Sequence, residues 1–251
     1  MVCDNVNTFS KCRALVVEDH PFSRTTLVAM LQKLDLDRVF SAGDGEEAVK
    51  ILNSEFIDVV ITDINMPKMN GIELLKHIRT NKTSNAPSTR VVAVTSYSNV
   101  EVIRSCMSLD INAFLVKPIT MDNVRTKVLL ALDETTELFH ESEYESVESD
   151  FDCISEDVVT RPAKKEVKKE KPEPPPQRKL NNMSYLTIND LNHLEPGMIL
   201  MQDLCAKNGV CLVAQGVSLN KRLLNRLHEL RSIVEIEQLK VKMLTDVGSG
   251  I

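Results

Sequence analysis

Ile57-Asp58-Val59-Val60-Ile61-Thr62-Asp63 is an apolar run that ends at a carboxylate. A short, nearly continuous run of β-branched residues is typical of a strand buried on both faces of a parallel sheet. Three further runs end in polar residues in the same way: Leu15-Val16-Val17 before Glu18-Asp19, residues 91–94 before Thr95, and residues 114–116 before Lys117. The pattern predicts an α/β fold with a five-stranded, doubly wound parallel sheet.

Segments with helical spacing separate these runs. Leu27, Leu31 and Leu34 recur at intervals of three and four after Pro21, which suits an early helical position. A short strand is predicted near residues 39–40, and further helices follow each later strand. This alternation of strand and helix signals predicts five β/α units.

The polar residues that follow the strands predict a shared site. Ligands bind beyond the carboxyl ends of the strands in a parallel α/β sheet. We therefore expect this edge to gather five side chains, those of Glu18, Asp19, Asp63, Thr95 and Lys117. Carboxylates suit a divalent cation, while hydroxyl and ammonium groups suit phosphoryl oxygens. Two alternatives remain open, because an acid after a strand commonly caps the next helix and a Lys-Pro pair commonly forms a turn.

The order and spacing of these residues resemble the receiver domain of two-component response regulators. Asp63 follows Asp19 by 44 residues, Thr95 follows Asp63 by 32, and Lys117 follows Thr95 by 22. The resemblance covers about residues 11–133, and its most specific motif is Asp63-x-Asn65-Met66-Pro67-x-Met69-x-Gly71. It implies a bacterial phosphorelay protein in which Asp63 accepts a phosphoryl group from a sensor histidine kinase or phosphotransfer protein.

The resemblance also implies a Mg²⁺ site and no organic cofactor. Asp19 and Asp63 would bind the ion directly, and Glu18 would act mainly through water. The backbone carbonyl of Asn65 would complete the protein's share of the ligands. This set suits Mg²⁺, which prefers octahedral oxygen ligation and keeps several waters.

The same resemblance implies that the remaining site residues take part in a conformational switch. Lys117 would pair with one phosphoryl oxygen and the Thr95 hydroxyl would donate to another. Thr95 would thereby move inward and let the ring of Phe114 turn, which changes the face formed by the fourth helix, fifth strand and fifth helix. Simple core packing is the alternative role for Phe114, since aromatic residues on buried strands usually pack.

Charge divides the rest of the 251-residue chain, whose formal net charge is −6. Residues 134–158 carry ten acidic groups and no basic group, and residues 159–180 are basic and proline-rich. Such a segment buries little apolar surface. We predict the following divisions: an N-terminal tail at 1–10, a receiver at 11–133, a linker at 134–182 whose acidic start extends the last receiver helix, a small module at 183–245, and a tail at 246–251.

The cysteines and the absence of a long apolar segment indicate in which cellular compartment the protein is expected. Six cysteines occur without a CxxC spacing, which points to a reducing environment. Cys205 and Cys211 are expected to be ordinary buried thiols. No run of eighteen apolar residues is present, so we expect a cytoplasmic protein without membrane contact.

The C-terminal block is predicted to be a small β-plus-α module. Residues 198–201 and 210–214 flank Lys207-Asn208-Gly209, which indicates a hairpin. A leucine-faced helix follows, and residues 234–241 are predicted to form a closing strand. The block, with Leu194-Glu195-Pro196-Gly197, resembles an accessory module of bacterial receiver and HD-GYP phosphodiesterase proteins. The HD-GYP catalytic motifs do not occur in this chain.

Three kinds of output follow from the C-terminal block. The leading prediction is an interaction protein whose module binds an unknown protein target or forms a homodimer. A DNA-binding transcriptional response regulator ranks second, because the block is neutral and has one clear helix where a helix-turn-helix needs two. A basic face on that helix, which includes Lys221, Arg222 and Arg226, is the feature that favours DNA. An enzyme output ranks last, because no constellation of catalytic residues follows residue 133.

Overall fold

The structure is a computed structural model that describes residues 11–96, 99–134, 141–149, 151, 185–234, 236 and 238–243. The predicted tails at 1–10 and 246–251 and most of the predicted linker lie outside the described residues. The predicted domain boundaries therefore stay predictions.

Five parallel strands form the central sheet in the order β2-β1-β3-β4-β5. The strands are β1 (Arg13–Val17), β2 (Arg38–Ala42), β3 (Val59–Asp63), β4 (Arg90–Thr95) and β5 (Ala113–Val116). β1 and β3–β4 supply fully buried side chains to both faces of the sheet, as the continuous apolar runs require. The predicted doubly wound parallel fold is confirmed.

Five helices cover the sheet: α1 (Pro21–Gln32), α2 (Gly45–Ser54), α3 (Gly71–Arg79), α4 (Val100–Ser108) and α5 (Met121–Asp133). Each begins after a side chain that accepts hydrogen bonds from its first turn, and the capping residues are His20, Asp44, Asn70, Asn99 and Thr120. Asn70 and Glu73 form a reciprocal capping box at α3. In the described part of the chain, no helix is both long and apolar enough to cross a membrane.

Residues 141–149 of the acidic segment pack against the receiver. The prediction that it extends the last helix is wrong, because α5 ends at Asp133 and α6 (Glu141–Glu145) is a separate helix against α3. The buried Tyr144 donates its hydroxyl to Asp110 Oδ2 at 2.5 Å. Beyond it, Lys76 Nζ donates to the carbonyl of Val147 at 2.6 Å. These long-range contacts attach the segment to the receiver surface.

The described residues of the C-terminal part form two small sheets, one α-helix and a short 3-10 helix at Leu191–His193. Its elements are β6 (Leu186–Ile188), β7 (Met198–Leu200), β8 (Leu204–Cys205), β9 (Cys211–Val213), α7 (Lys221–Glu229) and β10 (Leu239–Met243). β10 lies between β6 and β7, and β8 pairs with β9. The predicted hairpin turn at Lys207-Asn208-Gly209 is present, and it joins β8 to β9. Residues 198–200 do not pair with residues 210–214 as predicted, because they form β7 and pair with β10.

The two cysteines of this hairpin differ from the expectation. Cys205 and Cys211 are register partners on β8 and β9, and both are only partly buried. Residues directly opposite each other in an antiparallel pair place their side chains on the same face of the sheet. Reading them as ordinary buried thiols was wrong.

The C-terminal part shares a hydrophobic core with the receiver. One contiguous cluster includes Cys106, Leu109 and Phe114 of the receiver and Leu212, Leu224 and Leu227 of the C-terminal part. β9 packs against α4, and α7 packs against β5. Burial of apolar surface is the dominant favourable contribution to such contacts, so the two parts are held together by packing as well as by charge.

Gly71 is the point where α3 approaches the end of β3 most closely. A Cβ atom at this position would lie 2.2 Å from the carbonyl oxygen of Asp63. The Gly71 amide also donates to the carbonyl of Ile64 at 3.1 Å. Only glycine permits this approach without moving the backbone that carries Asp63.

Replacing Gly71 with alanine is expected to lower the free energy of unfolding by at least about 2 kcal/mol, because the methyl group must displace backbone rather than a flexible side chain. Urea denaturation of the two proteins measures the difference. Gly43→Ala is the matched control, since its nearest atom would be a Glu47 side-chain oxygen at 3.4 Å. Equal losses in the two variants would contradict the proposed close contact.

Candidate functional site

Three carboxylates meet at the carboxyl edge of the sheet. Glu18 and Asp19 follow β1, and Asp63 ends β3. One oxygen from each lies within 4.8 Å of the others, and Glu18 and Asp63 are buried while Asp19 is exposed. The alternative that these acids cap helices is wrong for Asp19 and Asp63, because His20 caps α1 and Asn70 caps α3.

Asp63 is held by one contact on each carboxylate oxygen. Its Oδ1 accepts from the backbone amide of Ile64 at 2.7 Å, and its Oδ2 accepts from Lys117 Nζ at 2.8 Å. Lys117 follows β5, and the peptide bond to Pro118 is cis. The lysine side chain is thus more than part of a turn, because its ammonium group reaches across the sheet edge to Asp63. With 6% of its surface exposed, Asp63 remains accessible at one side.

Glu18 carries the strongest sign of a cation site. Its Oε2 is buried and accepts no hydrogen bond from the described residues, and Lys117 Nζ lies 3.9 Å away. Burial first, and then the charge of Asp63, raise the pKa of Glu18 from 4.5 to about 7, while Lys117 opposes the rise. Three acids and one lysine leave an excess of negative charge, and oxygen ligands of this kind fit Mg²⁺.

The other predicted residues lie around this cluster. Thr95 ends β4 and is 8% exposed. Its carbonyl oxygen accepts a hydrogen bond from the Lys117 backbone amide at 2.9 Å. Asn65 is exposed two residues beyond β3, and its carbonyl as a metal ligand stays a prediction. Phe114 is fully buried on β5 beside Ala93. The arrangement gathers acids, a hydroxyl and an ammonium group at one edge, which suits phosphoryl transfer to a carboxylate.

A second set of charged residues, which the sequence did not reveal, joins the receiver to the C-terminal part. Glu229 of α7 accepts from the Phe114 amide at 3.0 Å through Oε2, and from Lys127 Nζ at 2.7 Å through Oε1. Arg226 Nη2 contacts Glu134 Oε2 at 2.6 Å. The Arg226 side chain is 4% exposed and that of Glu229 is 8% exposed. We call these residues, with Asp110 and Arg222, the α7 contact.

Backbone carbonyls before β5 complete the α7 contact. Arg226 Nε donates to the carbonyl of Ile111 at 3.1 Å, and Arg222 Nη2 donates to that of Asp110 at 2.5 Å. Two of the basic residues predicted for the free face of this helix therefore face the receiver instead. No local signal identifies these partners, because the paired residues lie more than 90 positions apart in the sequence.

Comparison with known proteins gives a consistent family for the first half of the chain. The family model described as the response regulator receiver domain matches residues 14–129. The chain is 33% identical over 118 residues to a probable chemotaxis protein CheY of Rhizobium etli, covering 47% of this chain and 90% of that one. It is 34% identical over 118 residues to a cyclic di-GMP phosphodiesterase of Thermotoga maritima, but covers only 30% of that protein.

Among solved structures, the chemotaxis protein CheY4 of Vibrio cholerae is 26% identical, with a TM-score of 0.45, 49% of this chain covered and 99% of that chain. The family match ends before the C-terminal part begins. The predicted resemblance of residues 183–245 to the accessory module therefore stays a prediction.

Glu18→Gln is expected to be more stable than the wild type at neutral pH in the absence of divalent metal. The folded-state pKa of Glu18, about 7, lies above its ordinary value of 4.5, so the folded protein retains a proton between these values. The contribution of this proton to the free energy of unfolding is complete below pH 4.5 and is lost as the pH rises to about 7. The advantage of the glutamine variant should therefore grow over that range, to at most about 3 kcal/mol.

Urea denaturation at several pH values between 5 and 8 measures this difference. The exposed Glu101 provides a control, since Glu101→Gln removes a carboxylate outside the cluster. Saturating Mg²⁺ should reverse the order of wild type and Glu18→Gln, because a cation stabilises the ionised carboxylate. A difference that does not change with pH would rule out a proton held at Glu18.

Proposed function

This chain belongs to the response regulator receiver family, and from that premise we propose that it is a phosphorylation-controlled interaction protein. Asp63 accepts a phosphoryl group from a sensor histidine kinase or phosphotransfer protein, and the modified receiver changes the contacts of the C-terminal part with a protein partner. The observation that carries the proposal is the 2.8 Å contact of Lys117 with Asp63 inside a cluster of three carboxylates.

The residues of the site divide the work of phosphoryl transfer. The Asp63 carboxylate attacks phosphorus, the phosphorus–nitrogen bond of the phosphohistidine donor breaks, and an acyl phosphate forms. Asp19, Asp63 and the Asn65 carbonyl would hold Mg²⁺ directly, Glu18 would act mainly through water, and the ion would supply positive charge that neutralises the phosphoryl oxygens. Lys117 exchanges its contact with the Asp63 carboxylate for one with a phosphoryl oxygen.

Thr95 and β5 carry the change to the C-terminal part. The Thr95 hydroxyl donates to a phosphoryl oxygen, and this movement opens space next to Phe114. Phe114 is linked to both sides of the proposed switch, because its ring lies in the shared core and its amide donates to Glu229 of α7. A change at Phe114 alters the α7 contact directly, and a weaker contact frees α7 and β9 for a partner.

The α7 contact also favours a protein partner over DNA. Arg222 and Arg226 are engaged by Asp110, Glu134 and backbone carbonyls, so they are not available as a basic recognition face while the contact holds. The C-terminal part acts in this proposal as an interaction module without a catalytic output of its own. The receiver itself performs autophosphorylation and slow autodephosphorylation only.

Phosphorylation at Asp63 is tested with acetyl phosphate and Mg²⁺. The wild type should gain the mass of one phosphoryl group, and Asp63→Asn should gain none, because the amide is not a nucleophile of the required kind. Intact-mass spectrometry and size-exclusion chromatography on the same samples give modification and oligomeric state together. A size increase on phosphorylation would identify homodimer formation as part of the output.

Asp35→Asn is the matched control, since Asp35 is an exposed aspartate away from the site with a positive φ that asparagine also tolerates. It should be phosphorylated like the wild type. Modification that persists in Asp63→Asn, or that does not require Mg²⁺, would contradict the proposed acceptor site.

Release of the α7 contact is tested at the Phe114 amide. Glu229→Gln removes the charge that pairs with Lys127 and weakens acceptance from this amide, so its hydrogen exchange should accelerate roughly tenfold or more. Phosphorylation of the wild type should change exchange in the same direction. Hydrogen–deuterium exchange with mass spectrometry of peptides from β5 measures both effects.

Glu195→Gln removes the same charge from an exposed position in the C-terminal part and should leave this exchange unchanged. Unchanged exchange at β5 after complete phosphorylation would show that the α7 contact is not the switched element. The phosphorylation of Asp63 would remain a separate result, since the mass measurement reports it independently.

A further inference from the structure

The β8–β9 hairpin contains two thiols at directly opposed positions. Cys205 and Cys211 are register partners, and the amide of Ala206 donates to the carbonyl of Val210 at 2.8 Å in the next position toward the turn. Antiparallel partners alternate between hydrogen-bonded and non-hydrogen-bonded pairs. The bond from the Ala206 amide to the Val210 carbonyl flanks Cys205 and Cys211 on the turn side, as expected for a non-hydrogen-bonded pair.

This position suits a covalent bond between the two sulfurs. Cα atoms of a non-hydrogen-bonded pair lie about 4.5 Å apart and their side chains approach closely. That typical separation falls within the range of about 4.4–6.8 Å over which a disulfide forms without moving the backbone. The register shift in the ladder lies between Leu204 and Cys205, on the side of the pair away from the turn.

The two thiols contact each other and are open to small reagents. The Cys205 side chain lies close enough to Cys211 to raise the pKa of the Cys211 thiol, and both residues are partly exposed. Cys106, by contrast, is buried, and burial raises the pKa of its thiol to about 12. A small oxidant can therefore reach the hairpin pair far more readily than Cys106.

We propose that Cys205 and Cys211 form a reversible intramolecular disulfide when the protein meets a two-electron oxidant such as a peroxide. One thiolate attacks the peroxide oxygen to give a sulfenic acid, and the second thiol displaces water to form the sulfur–sulfur bond. Each cysteine loses one hydrogen, the pair is oxidised by two electrons, and hydrogen peroxide is reduced to two water molecules. A dithiol reductant reverses the reaction by exchange.

The location gives the bond a consequence for the rest of the molecule. β9 packs against α4, and its Leu212 belongs to the core shared with the receiver. A bridge between β8 and β9 restricts the hairpin that makes this contact. The modification therefore acts beside the contact between receiver and C-terminal part, and it does not require phosphorylation of Asp63.

Groups around the pair determine how its reactivity depends on pH. Burial, the charge of Asp203 and the neighbouring Cys205 raise the pKa of the Cys211 thiol, while Arg104 of α4 opposes the rise. The thiolate is the reacting form, so the oxidation rate should increase about tenfold per pH unit below the thiol pKa. Slow reaction at neutral pH and faster reaction at alkaline pH are therefore expected.

The sequence allows a direct test on the full chain. Lys207 lies between the two cysteines, so trypsin separates them into peptides 180–207 and 208–221. After treatment with hydrogen peroxide and alkylation of free thiols, these two peptides should appear joined, and the protein should stay at its monomer mass of 28.2 kDa. Dithiothreitol should separate them. Non-reducing mass spectrometry identifies the joined peptides.

Two variants distinguish this pair from other cysteine reactions. Cys12→Ser removes another partly exposed thiol and should still give the joined peptides, whereas Cys205→Ser should give none while retaining a free Cys211. Circular dichroism establishes that each variant is folded before oxidation. Oxidation that yields only sulfinic acids, pairs involving Cys12, or dimers linked between chains would overturn the proposal.

Discussion

Strand β5 forms the edge of the receiver sheet, and the backbone groups on its outer side require partners because they are covered by α7. Glu229 accepts from the Phe114 amide, and Arg226 donates to the carbonyl of Ile111 just before the strand. A buried, unpaired backbone group costs about 1–3 kcal/mol. The hydrogen bonds to the backbone groups of this edge strand therefore make the α7 contact specific. Apolar packing alone does not define which backbone groups are paired.

The same strand also determines the electrostatics of the site at its carboxyl end. Lys117, which follows β5, supplies the ammonium group that contacts Asp63. Without it, the carboxylates of Glu18, Asp19 and Asp63 would repel one another across less than 5 Å. One short segment thus connects the carboxylate cluster at its end with α7 along its edge. A change in charge at Asp63 and a change in the α7 contact both act on the same few residues.

Several predictions made from local patterns were correct, and the errors have a common cause. The runs before Asp63 and Lys117 identified parallel strands, and the ends of parallel strands necessarily meet at one edge. The hairpin at Asn208-Gly209 was recognised, yet one of its predicted strands was wrong, because β7 pairs with β10 some 40 residues later. Tyr144 was assigned to a linker because the sequence does not show that it bonds to Asp110, which lies 34 residues away. Local periodicity does not report such long-range pairing.

The sequence by itself determined which residues end the strands and which helices follow them. It also determined that acids, a hydroxyl and a lysine come together at one edge of the sheet. These features depend on hydrophobic period and on chain direction, which are local properties. Only the tertiary structure decided that Arg222 and Arg226 face the receiver, that Glu229 holds the Phe114 amide, and that two cysteines oppose each other. Those contacts depend on register and on docking between segments up to 115 residues apart, and a sequence pattern does not specify them.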